Sequence, residues 1–200
     1  MNRRIFLALT GSLLTGCSVL PTRTYQQRRD WPLVPRRATV TPPRGNGRIL
    51  LVRTMSAGPG MEARGVQWLL KDGSLNTDYY EQWSTPPAQA MEEGLRRWLA
   101  DSGLFAAVVA PGSRVTADFI LESELTALVA DPQAGTARAS LSLVLLDPKG
   151  DKTRVRLQKT VTAEVHLNGT GVEAIVAGLR EAASAMLEQA EAAIAGAQRG

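Results

Sequence analysis

The chain has 200 residues, of which 44% are hydrophobic and 21% are charged, values that are ordinary for a globular protein. Its single cysteine excludes an intramolecular disulfide. The formal net charge of +4 is unevenly distributed, because residues 17–47 carry +5 whereas residues 48–200 carry −3. Since the longer part has no net positive charge, the composition argues against nucleic-acid binding.

The chain begins with the pattern of a bacterial lipoprotein signal peptide, residues 1–16. A short positive start, Met1-Asn2-Arg3-Arg4, precedes an apolar run that ends at Leu14. A helical run of about ten residues spans roughly 15 Å and cannot cross a hydrocarbon core of about 30 Å. We predict cleavage before Cys17 and lipidation of Cys17. The signal-peptidase recognition residues would be Leu14, Thr15 and Gly16.

Residues 17–47 are predicted to be the lipidated cysteine followed by a flexible, basic, proline-rich tether. Five of the chain's eleven prolines and six arginines fall here, and the apolar residues show no period. Trp31 and Leu33 are the exception, and two interpretations remain open for this pair. It is either a short edge strand that clips onto the domain or part of a solvated tether. The folded domain is predicted to comprise residues 48–200.

Three strands are predicted at the start of the domain. Residues 48–53 form the first, and the other two flank Asp72-Gly73, a strong hairpin signal. If those two residues are the loop, Lys71 pairs with Ser74. In this register a buried apolar face comprises Val66, Trp68, Leu70, Leu75, Tyr79 and Trp83. The opposite polar face comprises Gln67, Asp78, Tyr80 and Gln82.

A helix is predicted to begin at Thr85-Pro86-Pro87, with Thr85 as the N-cap and Pro86 at the first helical position. Gly103 follows its C-terminal end. Its apolar positions recur at helical spacing and are Ala88, Met91, Leu95, Trp98 and Leu99.

Four strands and a second helix complete the domain. The strands cover residues 104–110, 118–130, 136–146 and 153–167, and short turns join the last three into an antiparallel meander. The positions predicted to face the core include Ala127, Val129 and Val155. The second helix runs from Thr170, which forms a capping box with Glu173, to about Ala195. The order β-β-β-α-β-β-β-β-α predicts an α+β fold, a mostly antiparallel sheet with two helices packed on one face.

Residues that could support catalysis are few. His166 is the only histidine and falls on the polar face of its strand. With one histidine and one cysteine, a zinc site lacks most of its usual ligands. The carboxylates are scattered over strand faces and helix surfaces. We therefore predict that the protein is not an enzyme and has no catalytic residues, no cofactor and no metal.

Five short motifs carry a resemblance to a known family. They are Val66-Gln67-Trp68, Tyr79-Tyr80-Glu81-Gln82-Trp83, Pro86-Pro87, Leu95-Arg96-Arg97-Trp98-Leu99 and Ser102-Gly103-Leu104-Phe105. Together with the order of the later elements, they resemble the ABC-type transport auxiliary lipoprotein family. That family includes the lipoprotein of a paraquat-inducible system. The resemblance covers about residues 48–195, and its motifs are aromatic rather than catalytic.

The resemblance implies a non-enzymatic lipoprotein of an intermembrane lipid transporter. Its partner would be a periplasmic protein with a mammalian-cell-entry (MCE) domain, and Tyr80 is the candidate contact. Ser18, directly after the cysteine, favours the outer membrane, with the periplasmic face of the inner membrane as the alternative. A lipid-binding carrier and an assembly factor of another envelope complex remain alternative functions. The sequence leaves the oligomeric state open, and a homo-oligomer is compatible with it.

Overall fold

The computed structural model describes residues 25–43, 47–148 and 153–199. These residues contain two helices and nine strands, two of which, β1 and β3, add to the strands predicted ahead of the first helix. In chain order the elements are β1 (Arg29–Trp31), β2 (Ile49–Val52), β3 (Ser56–Ala57), β4 (Gly65–Leu69), β5 (Leu75–Trp83), α1 (Pro87–Ala100), β6 (Ala107–Val109), β7 (Phe119–Asp131), β8 (Thr136–Asp147), β9 (Arg154–His166) and α2 (Val172–Arg199).

The described strands form one mixed sheet, which confirms the α+β class. The order is β1-β5-β4-β7-β2-β6, and β8 pairs with β7 and β9. The long strands β7, β8 and β9 are antiparallel, as predicted. By contrast, β2, β3 and β4 pair in parallel with successive segments of β7. Parallel neighbours need a crossover connection, and the chain between β2 and β7 supplies one that contains α1.

Both helices pack on the sheet, α1 against β6 and β7, and α2 against β8 and β9. The predicted apolar stripe of α1 is confirmed, since all of its residues are buried. The helix nevertheless begins one residue later than predicted. Pro86 is the cap residue and Pro87 is the first helical residue. The reason is steric, because a residue that precedes a proline is disfavoured in the helical conformation.

A β-bulge in β7 changes which side chains face the core. The pairing of β7 with β8 shifts between Leu125 and Ala127. Beyond this point Leu128 and Ala130 are buried in place of the predicted Ala127 and Val129. Successive side chains alternate between the two faces, so one extra residue moves every later side chain to the other face.

A second bulge explains a wrong prediction in β9. Leu145 pairs with Leu157, whereas Leu146 pairs with Val155, so that Arg156 is the extra residue. Val155 was predicted to face the core, but it is 60% exposed. The bulge places it on the face of the sheet opposite the helices.

The β4–β5 hairpin has a three-residue loop, not the predicted two-residue loop. The Leu70 N–H donates to the Ser74 carbonyl oxygen at 2.8 Å, and the residues on either side of this pair, in β4 and β5, are also paired. Gly73 in the loop has φ +80°, a left-handed conformation that glycine adopts without a steric penalty. The predicted pairing of Lys71 with Ser74 is therefore wrong by one residue.

The register of the hairpin shifts again between Gly65 and Gln67. Val66 and Trp83 are buried, as predicted. Gln67, predicted on the polar face, is also buried, and its side-chain amide donates to the Gly60 carbonyl oxygen at 2.8 Å. The two shifts together break the simple alternation on which the predicted faces depended.

Residues 25–43 lie along the domain and are called the strap from here on. The strap contributes β1, which pairs in parallel with β5, and Leu33, which is 5% exposed and belongs to the core. The structure thus shows the edge strand, the first of the two interpretations of Trp31 and Leu33. The prediction of a flexible tether is wrong for this part of the chain, because a buried leucine and a strand pairing fix it.

The strap continues across both helices. The Arg36 N–H donates to the Ser184 hydroxyl of α2 at 3.0 Å. On α1, a Cβ added to Gly94 would lie 3.1 Å from the Pro35 ring, so this glycine permits the close approach of the strap. The N-terminal part of the described chain is therefore a third component of the helical layer.

Candidate interaction surfaces

The predicted lipid-attachment site lies outside the described residues. This applies to Cys17 and to its recognition residues Leu14, Thr15 and Gly16. Cleavage and lipidation therefore stay predictions from the sequence. Neither of the two described helices combines the length and the apolar character that crossing a membrane requires.

Tyr80, the predicted partner contact, lies beside another tyrosine on β5. Tyr79 is 66% exposed and Tyr80 is 36% exposed. Their ring centroids are 5.1 Å apart at an interplanar angle of 86°, an edge-to-face arrangement. The Arg28 guanidinium lies 4.6 Å from the centroid of the Tyr79 ring, a cation–π contact. The Asp78 carboxylate accepts hydrogen bonds from the N–H groups of Tyr80 and Glu81, which fixes the backbone of the pair.

Two leucines extend this exposed group toward the end of the hairpin. Leu70 and Leu75 flank the loop and are 44% and 49% exposed. They were predicted to be buried on one face with Tyr79, but all three are exposed. Because Leu70 pairs with Ser74 and Leu69 pairs with Leu75, the two leucines project from opposite faces of the hairpin near its end. Leu70, Leu75, Tyr79 and Tyr80 are called the hairpin surface from here on.

The loop of the hairpin is locally ordered and carries charge. Asp72 accepts hydrogen bonds from the Ser74 hydroxyl at 2.6 Å and from the Ser74 N–H at 2.9 Å. These bonds favour the ionised carboxylate and lower the pKa of Asp72. Lys71, the first residue of the loop, is exposed and adds a positive charge. The end of the hairpin therefore combines exposed apolar groups with charged groups.

A buried carboxylate fastens the strap beside the hairpin surface. Glu81 is 7% exposed and accepts hydrogen bonds from Arg29 Nε at 2.8 Å and from Trp31 Nε1 at 2.7 Å. Arg29 also donates to Glu173 in the first turn of α2 at 2.5 Å. The hydrogen bond from Arg29 lowers the pKa of Glu173, and the hydrogen bonds that Arg29 donates to Glu81 and Glu173 raise the pKa of Arg29. The strap is thus tied to β5 and to α2 at one point.

A second carboxylate fastens the strap farther along. Glu191 of α2 accepts hydrogen bonds from both terminal nitrogens of Arg37 and from Trp98 Nε1, the last at 2.7 Å. Between the two points, Arg180 Nε donates to the Pro32 carbonyl oxygen at 2.8 Å. Partial burial of this guanidinium lowers the pKa of Arg180. These contacts account for the ordered path of the strap over α2.

An apolar row crosses the sheet on the face opposite the helices. The row contains one residue from each of β6, β2, β7, β8 and β9, and each residue pairs directly with the next across neighbouring strands. Each is half-buried except the last, which is exposed. The apolar row, as it is called below, consists of Val109, Leu51, Ile120, Leu146 and Val155.

The grooves beside the strap offer little catalytic chemistry. A cavity of about 410 Å³ lies between residues 32–35 and α1. Its charged residues include Glu93, which forms ion pairs with Arg96 and Arg97. His166 is exposed, as predicted. Within residues 25–43, 47–148 and 153–199, no group of three or more His, Cys, Asp or Glu side chains is arranged to hold a metal.

Two of these features do not follow from the sequence pattern. Exposure of Leu70 and Leu75 depends on the loop length, and Gly73 suits the observed three-residue loop as well as the predicted two-residue loop. The apolar row depends on the bulge that turns Val155 outward. Both features could be inferred only from the register, because apolar residues at strand positions usually indicate a core face.

A family model described as an ABC-type transport auxiliary lipoprotein component matches residues 32–191. The match begins inside the strap, 16 residues before the predicted start of the domain. The search of curated proteins found no match.

Three solved structures share the fold. Protein XCC0632 from Xanthomonas campestris is 23% identical over 86% of this chain and 98% of its own, with a TM-score of 0.69. A protein described as uncharacterized is 15% identical over 78% and 95% of the two chains, with a TM-score of 0.62. The hypothetical protein CT253 from Chlamydia trachomatis is 11% identical over 75% and 96%, with a TM-score of 0.54. The fold agrees with the family match, and this chain belongs to the family of ABC-type transport auxiliary lipoprotein components.

Proposed function

We propose that this chain is a periplasmic lipoprotein, anchored in the outer membrane, that serves an ABC-type intermembrane lipid transporter. Its role is to dock the transporter's periplasmic protein that carries an MCE domain. Family membership over residues 32–191 is the observation that carries this proposal. The signal-peptidase recognition motif Leu14-Thr15-Gly16-Cys17 supports the lipid anchor. Ser18 favours the outer membrane over the inner membrane.

Several observations support a role in binding rather than in catalysis. The family is described as an auxiliary transport component. The carboxylates of Glu81 and Glu191 each accept hydrogen bonds from strap residues, so both are used to hold the fold together. The hairpin surface places two tyrosines on the exterior, and tyrosine is enriched at protein–protein interfaces. Tyr80 remains the candidate contact for the partner.

Replacing Cys17 with Ser should abolish lipid attachment and leave the signal peptide uncleaved. The thioether forms on the cysteine sulfur, and a serine hydroxyl does not replace it. Labelling cells with a radioactive fatty acid measures lipid attachment, the electrophoretic mobility of the protein reports cleavage, and a density gradient of the membranes gives the location. The wild-type protein should carry the label and band with the outer membrane. Labelling of the Cys17→Ser protein equal to wild type would rule out this anchor, and banding with the inner membrane would favour the alternative location.

Replacing Tyr80 with Ala should weaken binding of the MCE-domain protein by about 1 kcal/mol or more, which is roughly fivefold in Kd or greater. Tyrosine supplies a large contact area with little loss of conformational freedom. A quantitative pull-down of the purified partner measures the effect. The matched control is Val115→Ala, which truncates an exposed apolar side chain in the loop before β7.

Equal binding by the wild-type and Tyr80→Ala proteins would exclude Tyr80 as a contact. The assay also separates the proposed function from the carrier alternative. A wild-type protein that retains no MCE-domain partner, but yields stoichiometric lipid on organic extraction, would favour a lipid carrier.

A further inference from the structure

The sheet has two distinct ends, and the hairpin surface lies at one of them. Near the C-terminal end of β7, Ala130 pairs with Trp68, just before the hairpin loop. Near the N-terminal end of β7, Ile120 pairs with Leu146 of β8, and Leu146 pairs with Val155 of β9. These three residues therefore lie at the same height in the sheet. The ten residues between these levels correspond to about 33 Å along a strand. The hairpin loop and Val155 therefore mark opposite ends of the domain.

The strap enters the domain from the hairpin end. Because β1 is parallel to β5, the residues before Arg29 lie toward the beginning of β5, where the hairpin loop is. The stacking of Arg28 on Tyr79 at 4.6 Å confirms this direction. The first described residue, Tyr25, thus lies on the hairpin side of β1.

The length of the remaining chain limits how far this end can be from the membrane. Under the proposed function, on which this inference rests, Cys17 is fixed in the bilayer by its lipid. Only seven residues, 18–24, lie between Cys17 and Tyr25, and the eight steps from one Cα to the next reach at most about 28 Å even when fully extended. The long tether predicted from the sequence would have allowed any orientation, but the ordered strap removes most of its length. Because Tyr25 lies on the hairpin side of β1, this short reach favours the hairpin end as the end that faces the bilayer.

The side chains at this end suit a lipid surface. Leu70 and Leu75 present exposed aliphatic groups beside the loop, and Tyr79 follows on β5 with most of its ring in solvent. Lys71 adds a positive charge in the loop, and Arg28 adds another over the Tyr79 ring, four residues along β5 from Leu75. Tyrosine with aliphatic and basic side chains is typical of the water–membrane interface, where rings lie among the headgroups and basic groups meet lipid phosphates.

We propose that the loop of the β4–β5 hairpin rests in the headgroup region of the membrane that carries the lipid anchor. Leu70 and Leu75 reach the boundary of the acyl chains, and Tyr79 lies at the level of the headgroups. The hairpin is thus a second, non-covalent attachment that sets the orientation of the domain. Tyr80 is less exposed than Tyr79, and its ring lies nearly perpendicular to that of Tyr79.

Fluorescence quenching by lipids tests this contact in the intact lipoprotein. The purified, acylated full-length protein carries Leu75→Cys or, as a matched control, Val155→Cys. The Cys17 sulfur is already in a thioether, so an environment-sensitive maleimide dye reacts only with the introduced cysteine. Each protein is reconstituted alone into phosphatidylethanolamine–phosphatidylglycerol vesicles that contain a spin-labelled lipid. The dye at position 75 should be quenched at least about twofold more than the dye at position 155, because only the former meets the interface.

Flotation of the vesicles separates the two hypotheses. If the protein floats and the dyes at positions 75 and 155 are quenched equally, the hairpin contact is refuted while the anchor stands. If it does not float, the anchor fails, and the hairpin contact fails with it. Shielding of the dye at position 75 from aqueous iodide without quenching by lipid would show that a second copy of the chain covers the hairpin, which also refutes the proposal. Leu70→Cys gives an independent reading if Leu75→Cys alters the fold.

Discussion

Replacing Trp83 with Ala should lower the free energy of unfolding by about 3–5 kcal/mol. Trp83 is 1% exposed at the end of β5 and is one of the largest fully buried side chains. Its backbone N–H donates to the Arg64 carbonyl oxygen, and it pairs in register with Trp31 of β1. Loss of the indole would leave a cavity where the strap, β4 and β5 meet. The cavity cannot close easily, because three strands would have to move together.

Denaturant unfolding of a soluble form that begins at residue 18 measures this loss. Tyr80→Ala on the same strand is the control and should cost less than about 1 kcal/mol, because Tyr80 is 36% exposed and lies outside the core. The reverse outcome, a tolerated Trp83→Ala and an unfolded Tyr80→Ala, would show that the described register of β5 is wrong.

Replacing Leu33 with Ala should lower the free energy of unfolding by about 2–5 kcal/mol. Leu33 is 5% exposed although it lies in the strap, which carries it into the core between the two carboxylate attachments. A solvated tether would show no such dependence. Val34→Ala is a close control, since the neighbouring side chain is 44% exposed and its truncation should change stability by no more than about 0.5 kcal/mol.

The same unfolding experiment compares these two variants. If Leu33→Ala is as mild as Val34→Ala, the strap does not contribute to the stability of the domain, and the tether interpretation would be restored. If the large loss is observed, the domain extends well upstream of residue 48, its predicted start.

The parts of the fold that follow one regular period were predictable. The stripe of α1 recurs at helical spacing from Ala88 to Leu99, and every member is buried. The outward position of His166 follows from simple alternation along β9. In these elements the local pattern and the tertiary environment agree, so the pattern is sufficient.

Bulges and loop length could not be predicted in the same way. Val129 and Val155 are as apolar as their buried neighbours, and only a one-residue shift in pairing moves them outward. Which partner residue is skipped depends on contacts between strands far apart in sequence. The local sequence pattern of either strand does not indicate which residue is skipped. The hairpin surface and the apolar row therefore could not be predicted.

The strap was missed for a related reason. Its prolines and arginines suit a solvated linker, yet an extended proline-rich segment also suits a groove between helices. The choice between a linker and a packed strap depends on hydrogen-bond partners that lie about 50 to 150 positions away in sequence. Examples are Glu81, which binds Arg29, and Glu191, which binds Arg37. Such pairs become visible only after the chain has folded.

The parallel pairing of β1 with β5 has a mechanical consequence. The chain enters β1 from the hairpin end, so a pull toward that end acts along the strand axis. Force in this direction shears the hydrogen bonds of the pair together with the contacts of Arg29 and Trp31 to Glu81, instead of peeling them apart one at a time. Tension applied to the N-terminal segment would therefore be shared by several bonds and passed into the centre of the domain.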